Sequence, residues 1–152
     1  MTYQCEIKDQ PAQPTLSIRT RSAASQLTQL FGQTFGAIMQ YLGELGEYPV
    51  GAPFGAYYNM DMQDLDIAIG FPVSKPLPDR GEIKSGALPA GKIAVTLHIG
   101  PYDAIAPAYE ALTQYMQANG CTPSGIAYEF YLSDPQTTPP DQIQTQIMFP
   151  LK

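Results

Sequence analysis

His98-Ile99-Gly100-Pro101-Tyr102, one helical segment ending at Asn119-Gly120, and then Tyr128-Glu129-Phe130-Tyr131-Leu132-Ser133-Asp134-Pro135 lay out a strand, a helix and a second strand in order. Lys92 to Ile99 alternates as a strand, with Ile93, Val95, Leu97 and Ile99 set against Lys92, Ala94, Thr96 and His98. Glycine at 100 frees the backbone and Pro101 ends ladder donation, so Tyr102 falls at a strand-to-helix corner. Ile105, Ala108, Tyr109, Leu112, Tyr115 and Met116 share one helical face, and Pro107 fits only in a first turn. Beyond Gly120 comes a β-prone aromatic run with one acid inside it, Glu129. A carboxylate there is the least expected residue of the chain.

Outward from this stretch, the first half repeats its plan. Tyr3 to Lys8 and Thr15 to Arg21 read as strands separated by Pro11 and Pro14. Ser25 to Leu45 is an amphipathic helix with Leu27, Leu30, Phe31, Phe35, Ile38, Met39, Leu42 and Leu45 on a wide face, stopped by Gly46 and Pro49. Ala56 to Met60 and Leu65 to Val73 read as strands around a polar turn, and Ser74 to Gly81 as a connector. Tyr41, Gly46, Pro49, Gly51 and Tyr57 match Tyr115, Gly120, Pro123, Gly125 and Tyr131, each pair 74 positions apart, while Phe71-Pro72 matches Phe149-Pro150 at 78. The reading is α+β: two duplicated β-β-α-β-β units, approximately residues 1–73 and 82–152 of one domain. They would form an antiparallel sheet with two long helices on one face and a pocket between the halves. Leu16 and Ile18 alternate one residue out of phase with Val95 and Leu97, which points to a bulge between residues 15 and 21.

Composition narrows the function. The chain has 152 residues, 44% hydrophobic and 14% charged, as in a globular domain. A formal charge of -6 argues against sequence-independent nucleic-acid binding, which needs a basic face. Cys5 and Cys121 have no metal or redox spacing, and one histidine excludes a structural zinc site. No apolar run reaches membrane-span length and no signal-peptide pattern opens the chain, so a cytoplasmic protein without cofactor, metal, membrane or direct nucleic-acid partner is expected.

Alternation puts Glu129 and Tyr131 on one strand face and Tyr128 and Phe130 on the other. In the first half Tyr57 shares a face with Gly55, the residue aligned with Glu129, so the frame keeps a tyrosine in both halves and an acid in one. A glycine opposite an acid leaves room for a ligand against Tyr57 and Tyr131. The candidate ligand contacts are Glu129, Tyr131, Tyr57, Tyr102, Phe35, Met39, Phe71 and Phe149. The plainer reading makes Glu129 a solvated residue on an open sheet face, the tyrosines and the Phe and Met of the first helix packing residues, and His98 structural.

Gly100-Pro101-Tyr102, the helix ending in Asn119-Gly120, Tyr128 to Pro135 and the following Thr138-Pro139-Pro140 resemble the GyrI-like small-molecule-binding domain, the effector-binding module of AraC-type and BmrR-type regulators. The resemblance extends over nearly the whole chain and implies a duplicated SHS2-type fold. Its acid in the Tyr-Glu-x-Tyr-Leu strand is similar to Glu129 and implies a small hydrophobic, cationic, aromatic ligand. No helix-turn-helix segment is present, as for a stand-alone member. Two further classes follow from the resemblance. One is a hydrolase of cyclopropane-containing genotoxic compounds, with Glu129 and either Tyr102 or Tyr57 in the catalytic roles. The other is a protein partner, DNA gyrase or a regulator.

Overall fold

The computed structural model describes residues 3–134 and 136–152, so Pro135 of the quoted stretch lies outside the described residues. Its elements run β1 (Cys5–Gln10), β2 (Gln13–Ser22), α1 (Leu27–Leu45), β3 (Phe54–Tyr57), β4 (Leu65–Pro72), β5 (Lys84–Leu88), β6 (Gly91–Ile99), α2 (Ala106–Ala118), β7 (Ala127–Tyr131) and β8 (Gln144–Pro150). The strands pair antiparallel, which makes this an α+β fold.

Two compact units divide the chain, Pro11–Ala90 on the one hand and Met1–Gln10 with Gly91–Lys152 on the other. Within the first the hydrogen-bonded order is β3-β4-β2-β5, and within the second it is β7-β8-β6-β1. The orders correspond strand for strand once β1 and β5 change places: β5 pairs with β2, and β1 pairs with β6. The compact units therefore differ from the sequence repeats by one exchanged strand each.

The pairing keeps the sequence offsets. Phe54 faces Gly70 and Tyr57 faces Ile67 in one unit, while Tyr128 faces Met148 and Tyr131 faces Thr145 in the other. Both helices end in the same turn. Gly46 at φ 69° and Gly120 at φ 67° take the left-handed conformation that costs glycine least. The next amide in each case reaches five residues back, Glu47 to Leu42 and Cys121 to Met116, both at 2.9 Å.

Each unit has its own core. In the first, Ile38, Tyr41 and Leu42 of α1 pack on Leu16, Phe71 and Val73. The buried Tyr41 hydroxyl is satisfied by donating to the Pro78 carbonyl at 2.8 Å. In the second, Ala108, Leu112 and Met116 of α2 pack on Ala94 and Ile147, with Cys5 and Cys121 partly buried against them as free thiols.

Two expectations change. No bulge interrupts β2: Thr15 to Ser22 pairs without a break with Pro72 to Leu65. Leu16 faces Phe71 where Ala94 faces Phe149, so these two residues correspond. The phase difference arises because β6 buries both faces, Ile93 and Val95 on one and Ala94 and Thr96 on the other. Small or polar residues hold the helix side there, and apolar alternation no longer reports which face is inward. The third strand runs Phe54–Tyr57, not Ala56 to Met60. Its ladder closes with the Tyr58 amide on the Asp66 carbonyl at 2.9 Å. The Asn59 side chain then turns the chain, accepting from the Asp66 amide and donating to the Asp64 carbonyl.

Candidate functional site

The cross-strand register of β7, β8 and β6 fixes two rows on the face that α2 covers. Glu129 faces Ile147, which faces Thr96; one row along, Tyr131 faces Thr145, which faces His98. Because Ile147 packs under Ala108, Leu112 and Met116, this is the helix-bearing side. Glu129 is thus not a solvated residue on an open face.

Three side-chain arrangements define the site. The Tyr109 hydroxyl of α2 donates to Glu129 Oε2, and the Tyr131 hydroxyl donates to Oε1 at 3.2 Å. Both carboxylate oxygens therefore hold a phenol. Around them the rings form edge-on pairs, Tyr102 on Tyr131 and Tyr109 on Phe149, each with centroids 5.9 Å apart. Edge-on pairing sets positive ring edges against negative faces.

His98 builds the corner that presents Tyr102. It is 2% exposed, and its Nε2 lies 2.9 Å from the Pro101 carbonyl. A carbonyl only accepts, so Nε2 carries a hydrogen, and Nδ1 lies 3.3 Å from the Tyr3 hydroxyl. The Gly100 amide meanwhile donates to the Ile143 carbonyl at 2.7 Å, and Tyr102–Ala104 forms a 3₁₀ turn ahead of α2. The imidazole is a structural brace, and the described residues contain no cluster able to hold a metal ion.

Opposing influences set the charge of Glu129. Burial pushes its pKa above the ordinary carboxylate value, while the hydrogen bonds from Tyr109 and Tyr131, and then a charge on His98, pull it down; burial wins. The Tyr102 phenol is raised as well, by burial first and then by the negative charges of Glu129 and Asp134. A half-buried acid of raised pKa among phenols can accept a cation, or give and take a proton.

Of the sequence candidates, Glu129, Tyr131, Tyr102 and Phe149 come together in this unit, linked by Tyr109. The other four belong to the unit of residues 11–90. There Phe35 stacks on Phe31 at 5.7 Å and tilts against Phe71 at 5.2 Å, and Phe71 is a core residue. Met39 is exposed, and Tyr57 ends β3. Two further residues on this face carry no distinguishing signal in the sequence. Tyr109 read as a helix packing residue, although a buried phenol needs a partner for its hydroxyl. Thr145 lies between Gln144 and Gln146, a polar run that hides its inward position. A groove of about 490 Å³ is lined by Gln4, Cys5, Glu6, Val95, Thr96, Leu97 and Gln146, and Glu129 takes no part in it.

A family model, the GyrI-like small molecule binding domain, matches residues 3–152. No curated protein sequence matches the chain. Among solved structures, the EcmrR C-terminal domain superposes with a TM-score of 0.88 at 23% identity, covering 100% of this chain and 99% of that one. In the EcmrR–DNA complex the chain spans 57% of the EcmrR polypeptide, with a TM-score of 0.85 over 99% of its own length at 23% identity. A hydrolase from Listeria innocua superposes with a TM-score of 0.74 at 16% identity, covering 98% of this chain and 92% of that one. SAV2435, solved bound to tetraphenylphosphonium, gives 0.60 at 16%, over 100% of this chain and 94% of that one.

Proposed function

The chain belongs to the GyrI-like small molecule binding domain family, and from that premise we propose that it binds a small, hydrophobic, aromatic cation against Glu129. The observation that carries this reading is the half-buried carboxylate on the helix side of β7, held by Tyr109 and Tyr131 and flanked by the edge-on ring of Tyr102. The physics is a balance. Burial raises the cost of ionising Glu129, and a cation seated beside it offsets that cost while the rings supply cation–π attraction of roughly 0.5–2 kcal/mol. A neutral ligand of the same shape supplies no such offset. SAV2435, which shares the fold and binds a lipophilic cation, supports the choice of ligand class.

The test is calorimetry with tetraphenylphosphonium on the wild-type chain and on Glu129→Gln. Affinity is expected to fall about tenfold or more in the variant, as for loss of a charge partner at a desolvated site. Equal affinity in both proteins would refute the role of the carboxylate.

A second reading, hydrolysis, rests on the raised pKa of Glu129, which suits a general acid or base, and on the Listeria innocua hydrolase of the same fold. Glu129 would activate water and a phenol, Tyr102 or Tyr131, would donate the proton. Turnover of an electrophilic cyclopropane that survives Glu129→Gln would remove it.

A further inference from the structure

One polar group on the site face has no role so far. Thr145 is 0% exposed, and its Oγ1 is a buried side-chain oxygen without a hydrogen-bond partner among the described residues. Its neighbours on that face are all satisfied: His98 by the Pro101 carbonyl and Tyr3, Thr96 by the Gln4 carbonyl at 2.8 Å, and Glu129 by two phenols. An isolated buried hydroxyl is costly to keep, since valine has nearly the same shape and carries no desolvation penalty. Its place is also particular. Thr145 stands in β8 between Tyr131 and His98, diagonal to Glu129 across the β7–β8 pair. Diagonal neighbours lie about 7–8 Å apart at the backbone. A glutamate side chain and one ammonium group span that gap.

We propose that the Thr145 hydroxyl is a second acceptor of the binding site, so that the site prefers cations carrying N–H donors, primary or secondary ammonium groups on an aromatic body, over permanently quaternary cations. This rests on the reading of Glu129 as the cation's partner. A quaternary ion satisfies the carboxylate through charge alone and leaves Oγ1 unpaired. An ammonium group donates one hydrogen to Glu129 and a second to Thr145, removing both penalties at once. Tyr131, the cross-strand neighbour of Thr145, forms with Tyr102 a partly exposed edge-on pair beside it. Thr145 would then set selectivity while Glu129 sets affinity.

The experiment uses naphthylmethylamine, an ammonium ion at neutral pH, and naphthylmethyl-trimethylammonium, followed by naphthalene fluorescence and calorimetry. Wild type, Thr145→Val and Glu129→Gln are compared as full-length chains. Valine keeps the β-branched shape, so a thermal melt no lower than wild type is expected without ligand. Wild type should favour the ammonium ligand. Thr145→Val should weaken that ligand about three- to tenfold, the worth of one hydrogen bond, and leave the quaternary one unchanged. Glu129→Gln should weaken both. If Thr145→Val weakens both ligands equally, or neither, the acceptor role is refuted while the Glu129 reading stands. If Glu129→Gln weakens neither, or wild type binds neither, both readings fall together.

Discussion

Tyr109→Phe isolates the bond on which the site depends. The substitution removes one oxygen and keeps the ring, so the edge-on contact with Phe149 at 5.9 Å and the packing of α2 on Ile147 remain. What is lost is the hydroxyl that donates to Glu129 Oε2. A hydrogen bond to an ionised group in partial burial contributes about 1.5–3 kcal/mol, which for a domain of this size lowers Tm by about 3–12 °C. The cost must depend on pH, and its sign follows from Glu129. Burial raises the folded pKa of Glu129 above its unfolded value, so the folded state binds the proton more tightly. Stability contributed by this group is therefore full below the unfolded carboxylate pKa and falls as pH rises through the folded one. The Tyr109 bond opposes that rise, so Tyr109→Phe pushes the folded pKa further up and makes the fall steeper. Urea denaturation at neutral pH and at a pH below the ordinary carboxylate value measures the difference. The full cost is expected at neutral pH, a smaller one in acid, and a smaller one at both in a Glu129→Gln background. An equal cost at both pH values, or an undiminished cost beside Glu129→Gln, would refute the coupling.

Glu129→Gln alone should flatten the dependence of stability on pH above the ordinary carboxylate range, visible as denaturation midpoints that no longer drop toward neutrality. Binding of tetraphenylphosphonium to wild type should tighten as pH rises through the titration of Glu129, with proton release on the calorimeter, and the variant should show neither. His98→Leu should cost about 1–3 kcal/mol for each polar group it strands, because Tyr3 and the Pro101 carbonyl both lose a partner; chemical denaturation reads it. Gly70→Ala should destabilise the unit of residues 11–90 by several kcal/mol, since a Cβ there would stand 2.2 Å from the Leu16 carbonyl oxygen; circular dichroism melts check it.

The sequence made the frame legible and the site only in part, for one physical reason. Glycine at a helix end and proline after it act locally, so Gly46 and Gly120 could be matched by spacing alone, and the structure gives both the same left-handed turn. Strand pairing is not local. Nothing in Cys5–Gln10 or Lys84–Leu88 announces that β1 pairs with β6 and β5 with β2. Alternation failed in the same way at Ala94 and Thr96, where both faces of β6 are buried and the inward residues are small or polar. Glu129 stood out because an acid among β-prone aromatics conflicts with its own surroundings, and such conflicts tend to mark function. Its partners carried no conflict. A tyrosine on an apolar helix face and a threonine between two glutamines each look ordinary until the register sets Tyr109 over Glu129 and Thr145 beside Tyr131. The hydroxyl of Thr145 then repeats, at the level of one atom, what Glu129 showed at the level of one residue. Each is a buried or half-buried polar group that its surroundings penalise, and under the proposed binding a ligand that satisfies the group would supply the reason to keep it.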